Sequence, residues 1–471
     1  MPKWLEDLAP ILLLLLAIAV VVARLPRVEL GHSDRYRHRR ARNWLPVGLL
    51  YSFLYMGRYN LTTAKSVLED MTDAAGAPLM TNADFGTIFG VGTAVYGFSF
   101  LLNGPLTDRF GGKKALLLGG IGSAVANLAI GWLVRSGHTD DLALWLSLLY
   151  GVNMYFQSFG AVAIVKINAP WFHVRERGVF GAIFGILISL GIYFAFDIGR
   201  IILERFAVEW VFFIPAIVLG VMYVAVWLLA VDTPSQAGFD DFDTGDASSG
   251  REHLPPDPVM EVFRRMFKSS IVMTIAAIEF CSGFLRQAIM QWYRTYAKAV
   301  GDADTFVYTN WGMLLCCAGI LGGVLAGVIS DRVFHSRRGP VAAVLYGGML
   351  VGAVMISFLL GSPLLGVIIV LMSMCVIGVH GMLSGTASMD FGGRRNAGIA
   401  VGIIDGFVYM GTAVMSFTYG SLLPDTEGGG GANVDEWIAW PVAMIPVAAI
   451  GLMFAMRVWH ATPEKDKQAR E

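Results

Sequence analysis

Gly104-Pro-Leu-Thr-Asp108-Arg109-Phe-Gly111-Gly112-Lys113-Lys114 decides how this chain is read. A second stretch, Gly327-Val-Ile-Ser-Asp331-Arg332, followed by Arg337-Arg338, repeats its Gly-x-x-x-Asp-Arg core. One copy alone reads as a charged turn. Two copies, each closing the second apolar run of a set of six, mark a duplicated unit. The spacing predicts that Gly104 and its counterpart let two helices approach closely. It predicts that Asp108 and Asp331 accept from amides at a neighbouring helix N-terminus, and that Arg109 and Arg332 anchor among headgroups.

Outward from these turns, apolar runs begin near Trp44, Phe85, Ala115, Leu142, Val179, Val208, Ile271, Val307, Val341, Leu364, Ala397 and Ile438. Each is close to the ~20 residues that cross a bilayer as a helix. Composition agrees: 55% of the 471 residues are hydrophobic and 15% charged, where a soluble domain carries about 25% charge. The expectation is an all-α polytopic membrane protein of twelve core helices in two pseudo-symmetric six-helix halves. The net charge of −1 points to no nucleic-acid partner. Cys281, Cys316, Cys317 and Cys375 sit in apolar runs without zinc-ligand spacing and read as small buried hydrophobes. No metal, cofactor or nucleophile–base motif stands out, and Gly111-Gly112-Lys113 lacks the spacing of a phosphate-binding loop. The reading is therefore not an enzyme.

Charge orients the set. With Trp44 starting a span on the cytoplasmic side, 26 of the 35 Lys and Arg fall in cytoplasmic segments, a positive-inside bias. One further run, Leu8 to Ala23, precedes the core. Its weak N-terminal flank and basic C-terminal flank (Arg24 to Arg42) favour an uncleaved extra helix with its N-terminus outside over a cleaved signal. The expected organisation is residues 1–43 for that helix and a basic segment, 44–231 for the first half, 232–269 for a cytoplasmic linker, 270–460 for the second half and 461–471 for a cytoplasmic tail. The linker is rich in Gly, Ser and Asp, which predicts flexibility. Its basic end, Val259 to Lys268, is expected on the inner membrane surface.

Two arginines lie inside spans. Arg58 is halfway along the first and Arg286 past the middle of the seventh; they precede the Asp of their respective repeats by 50 and 45 residues. They are repeat-equivalent and expected to face each other across the pseudo-two-fold axis. An arginine at that depth costs about 2.5–3.5 kcal/mol even on the lenient scale, and guanidinium cannot shed its proton. Either protein carboxylates pair with them or a transported anion does, phosphate matching the guanidinium fork. Glu279, two turns before Arg286, and Asp405 are the candidate salt-bridge or coupling carboxylates. Lys65, seven after Arg58, either attracts anions near the outer mouth or snorkels.

The 104–114 turn resembles the signature loop of the major facilitator superfamily. That resemblance implies substrate held between two homologous halves that rock in alternating access. Several further stretches resemble the organophosphate:phosphate antiporter family, which includes glycerol-phosphate and hexose-phosphate exchangers. They are Asn153-Met-Tyr-Phe156-Gln157-Ser-Phe-Gly160, Lys166 with Trp171-Phe172-His-Val-Arg175-Glu176-Arg177-Gly178, Tyr96-Gly97-Phe98-Ser99, Asp232-Thr233-Pro234, and Gly392-Gly393-Arg394-Arg395-Asn396-Ala397-Gly398 with Asp405-Gly406-Phe-Val-Tyr409-Met-Gly411. This resemblance spans about 45 to 460. It implies an inner-membrane carrier with Arg58 and Arg286 as phosphate ligands, exchanging a phosphorylated metabolite for inorganic phosphate. Phe100 and Ile188 stand where the studied exchangers often carry a lysine and a histidine, which points to a larger, less polar or less charged substrate. Sensor members of the same family imply a receptor alternative, with the extra N-terminal helix as a partner-docking element. Proton-coupled transport of another organic anion through Glu279 or Asp405 is a second alternative.

Tyr59, Gln157 and Tyr409 are the remaining expected substrate contacts. Tyr55, Asn153, Trp292 and Tyr293 either line the pathway or pack. Asp390 and Asp197 read as boundary charges, His173 as an ordinary inner-loop residue, and Asp240, Asp241 and Asp243 only weakly as a cation site.

Overall fold

The computed structural model describes residues 12, 15–16, 18–19 and 30–460, except 174–175, 245–257, 335–336 and 427–429. Side chains at 177–182, 184, 331 and 385–398 are also outside that description. Most of the Leu8–Ala23 run, the 461–471 tail, the middle of the linker and the side chains of Asp331, Asp390, Arg394 and Arg395 therefore fall beyond it.

The chain is a bundle of helices: α1 (Asp34–Leu68), α2 (Asn82–Phe110), α3 (Gly112–Arg135), α4 (Leu142–Asn168), α5 (Arg177–Tyr193), α6 (Trp210–Leu229), α7 (Val259–Lys268), α8 (Ser270–Ala299), α9 (Trp311–Val328), α10 (Arg338–Leu359), α11 (Leu365–His380), α12 (Ser388–Leu422) and α13 (Ala439–Arg457). α5 continues through a π-helical turn, Phe194–Ile198, into Gly199–Arg205. Among the described residues, eleven helices are long and apolar enough to cross a membrane. α1 is the twelfth by position; its basic start, Arg58 and Lys65 make it more polar than the rest.

Helix starts follow local chemistry. Ser33 caps α1 by accepting from the Tyr36 amide at 3.2 Å, so the helix begins ten residues before the expected Trp44. Thr81 and Asp84 form a reciprocal capping box on α2. Ser269 caps α8. The early start of α1 carries the basic segment along the inner loops: Arg40 pairs with Glu176 at 2.9 Å, and Tyr36 packs edge-on against Phe239 at 5.5 Å. This part of the linker is thus seated on the first half rather than free.

α1 and α8 meet at the centre. α2 runs beside α12, and α5 beside α9, forming the seams between halves. Glycine sets the α8–α12 spacing: a Cβ at Gly283 would lie 1.9 Å from the Val408 carbonyl oxygen, and one at Gly411 would lie 2.0 Å from that of Phe280. The repeated turns behave differently from expectation. Asp108 pairs with Lys166 at 2.8 Å, and the amide at the start of α3 donates instead to Asp232 (Lys113 N to Oδ1, 2.7 Å). A Cβ at Gly327 would meet nothing within 4 Å, so close approach does not explain that glycine. Arg109 and Arg332 are exposed. α7 buries Val262 and Met266 against Val272, Ile399 and Ile403. Its inner face is therefore covered by protein, while Met260 and Phe267 stay exposed.

Candidate anion-binding site

Arg58 is fully buried and its guanidinium is satisfied by neutral groups from three other helices. Nε donates to Gln157 Oε1 of α4 at 2.9 Å. Nη1 donates to the Tyr409 hydroxyl of α12 at 2.5 Å, and Nη2 to the Tyr96 hydroxyl of α2 at 2.7 Å. The Tyr55 and Tyr96 rings lie 4.4 and 4.5 Å from the guanidinium carbon, adding cation–π attraction in a desolvated setting. Behind Gln157 runs a chain of amides and hydroxyls. Gln157 Nε2 donates to Ser123 Oγ and Asn153 Oδ1, both at 3.2 Å. Asn153 Nδ2 donates to the Gly57 carbonyl at 2.9 Å, and Asn60 Nδ2 to Asn127 Oδ1 at 2.6 Å. Polar side chains on α1, α3 and α4 thereby fix the rotamers that hold Arg58.

Arg286 is just as deep, at 4% exposure, and differently served. Its Nε and Nη2 have no hydrogen-bond partner among the described residues. A buried donor left unmade costs about 1–3 kcal/mol, more on a charged group. The next residue, Gln287, donates to the Tyr59 hydroxyl at 2.8 Å, and Gln291 donates to Gln287 Oε1 at 2.7 Å. Thr62 in turn donates to Gln291. These bonds tie α1 to α8 across the axis and place both arginines on central helices.

The expected carboxylate partners are engaged elsewhere. Glu279 Oε2 meets His380 Nδ1 of α11 at 2.8 Å, and Asp405 accepts from Ser384 Oγ. Among the described residues neither forms an ion pair with Arg58 or Arg286. His380 escaped the sequence reading, although a histidine near the end of an apolar run was a usable signal. Trp292 packs on Phe85 (5.6 Å between centroids) and Tyr293 on Trp311 (4.6 Å), so both serve packing. Asp197 is no boundary charge: its carboxylate is buried and accepts from the Gly312 and Met313 amides at 2.8 and 2.7 Å, capping α9 from the opposite half. Lys65 is buried and pairs with Glu69 at 2.7 Å; Lys298 of α8 bonds Glu69 and Asp70, both at 2.7 Å. It neither snorkels nor stands free. No group of metal ligands is present among the described residues.

Similarity to known proteins follows the same lines. The chain is 25% identical over 405 residues to the glycerol-3-phosphate transporter of Bacillus subtilis strain 168, covering 81% of this chain and 86% of that one. It is 23% identical to a probable hexose phosphate transport protein of Chlamydia trachomatis, covering 92% and 93%. It is 20% identical to the membrane sensor protein UhpC of Salmonella typhimurium, covering 83% and 86%. Among solved structures, a bacterial homologue of the human lysosomal transporter Spinster superposes with a TM-score of 0.63 at 15% identity, covering 91% of this chain and 98% of that one. That likeness shows the fold. The Major Facilitator Superfamily profile matches residues 47–416, and the chain, a multi-pass membrane protein, belongs to that superfamily.

Proposed function

We propose that the protein is a secondary transporter of an organic anion, a phosphorylated metabolite of the glycerol-phosphate or sugar-phosphate class, exchanged for inorganic phosphate by alternating access. The observation that carries this reading is Arg286: a permanent cation, buried, with two nitrogens unpartnered among the described residues. Repeat-equivalent Arg58 supplies the second cation. Gln157 and Tyr409 hold Arg58, Tyr59 accepts from Gln287 beside Arg286, and these three are the side chains assigned to meet an anion between the arginines. Phosphate offers several acceptor oxygens to two forks, and two of the relatives named above are a glycerol-3-phosphate transporter and a probable hexose phosphate transport protein. The positive-inside distribution supports an inner-membrane orientation with both ends of the twelve-helix core cytoplasmic. The turns at Gly104–Arg109 and Asp331–Arg332 are then the inner hinges of the rocking halves.

Counterflow of labelled inorganic phosphate in proteoliposomes tests the reading. Wild type exchanges label; Arg58→Lys and Arg286→Lys lose it. Exchange at the wild-type rate in both variants removes the clamp. The sensor relative supports a second reading, a receptor that binds the same anion without moving it. Arginine-dependent phosphate binding with no counterflow selects that one.

A further inference from the structure

Beside the clamp lie buried acids that it does not use. Glu279 sits on α8 seven residues before Arg286 and is wholly buried. His380 holds one of its oxygens; the other, Oε1, has no partner among the described residues. Asp405 of α12, also buried, accepts from Ser384. Among the described residues, the charged and titratable groups that act on or respond to Glu279 are Arg286 and Cys281 on its own helix, His380 of α11, Asp405 of α12 and Tyr346 of α10. Arg58 of α1 acts on His380 and Asp405. Packed α13 brings only Arg457 at its end, and α7 only exposed charges.

Net charge in an interior surrounded by lipid is costly, so the clamp and its surroundings have to remain near neutral in every state that crosses the membrane. Two guanidiniums cannot change charge. Without an anion, ionised carboxylates at Glu279 and Asp405 beside a neutral His380 would cancel them. With a dianion between the arginines, the same two carboxylates would leave the core doubly negative. Protonated carboxyls restore the balance.

Resting on the clamp reading, we propose that anion binding at Arg58 and Arg286 is linked to proton uptake by Glu279 and Asp405, with His380 positioning the Glu279 carboxylate. One proton from water bonds to Glu279 Oε1, the other to the Asp405 carboxylate; both return to water when the anion leaves. In one-for-one exchange of like anions the protons carried each way cancel. In net uptake they travel with the anion, so a proton gradient drives accumulation.

The test is calorimetry on the full chain in lipid nanodiscs with inorganic phosphate at an alkaline pH well above the second ionisation of inorganic phosphate itself. Paired buffers of different ionisation enthalpy count the protons. Wild type takes up about one to two protons per phosphate bound, and affinity falls about tenfold per pH unit for each proton linked. Glu279→Gln and Asp405→Asn each lower the count by about one. Sulfate, which takes no proton itself in this range, gives the wild-type count again, whether or not either variant folds. Phosphate binding without proton uptake, or uptake seen with phosphate and absent with sulfate, overturns the linkage and leaves the clamp standing. A zwitterionic phosphate ester that binds more tightly than phosphate with no proton uptake overturns it too, because the carboxylates would then be charged partners of an ammonium. Absence of any arginine-dependent phosphate binding overturns the clamp and the linkage together.

Discussion

Arg58 and Arg286 occupy equivalent places in a duplicated fold and live in opposite conditions. In the first half the guanidinium is braced by Gln157, Tyr96 and Tyr409, with the Ser123–Asn153–Asn127 chain behind it. In the second half it keeps two donors unpartnered among the described residues, although Glu279 lies on the same helix. Depth alone therefore does not say how a buried cation is compensated. One arginine is held for structure as well as for chemistry. The other is left with bonding capacity that a ligand can use.

The sharpest way to break this comparison is stability measured without phosphate. Arg58→Met leaves the buried Gln157, Tyr96 and Tyr409 groups without their donor and is expected to cost about 1–3 kcal/mol or more, whereas Arg286→Met takes away two donors that have no partner among the described residues and is expected to cost less. Thermal unfolding of the two variants in detergent reads the difference; equal destabilisation would show that Arg286 is satisfied after all. Next in size is binding. A charged hydrogen bond contributes about 1.5–3 kcal/mol, so Arg286→Lys, which gives up a bidentate fork, is expected to weaken phosphate binding about 10- to 150-fold in equilibrium titration. Tyr96→Phe frees Nη2 and makes Arg58 resemble Arg286. Ligand-free stability falls by about 1 kcal/mol, and the thermal shift produced by phosphate grows rather than shrinks. The smallest effect belongs to the Lys65–Glu69–Lys298–Asp70 lattice joining α1 and α8. Part-exposed pairs contribute about 0.2–1 kcal/mol, so Lys298→Met changes the accessibility of a cysteine introduced nearby by no more than about fivefold.

Particular elements show where sequence reading works. The helical architecture follows from run length and charge placement, because lipid demands both and both are properties of the chain in one dimension. α1 starts ten residues ahead of its apolar run because its first turns are basic, held by Ser33 and by packing against Trp171 and Phe239 rather than by lipid. The capping role that the spacing predicts for Asp108 falls to Asp232, which lies 119 positions from the amide and leaves no local signal. Asp197 reads as a boundary charge until α9 is seen to begin directly on its carboxylate.

The order of residues, taken alone, determined that two permanent cations lie at bilayer depth at matching places in a repeat. Hydropathy and spacing are enough for that, and the cost of such a cation requires some compensation. Only the folded bundle decided which compensation each received. Tyr409 reaches Arg58 from 351 positions away, and Glu279 turns to His380 rather than to Arg286. Hydrogen bonds act over about 3 Å, a range that helix packing alone sets.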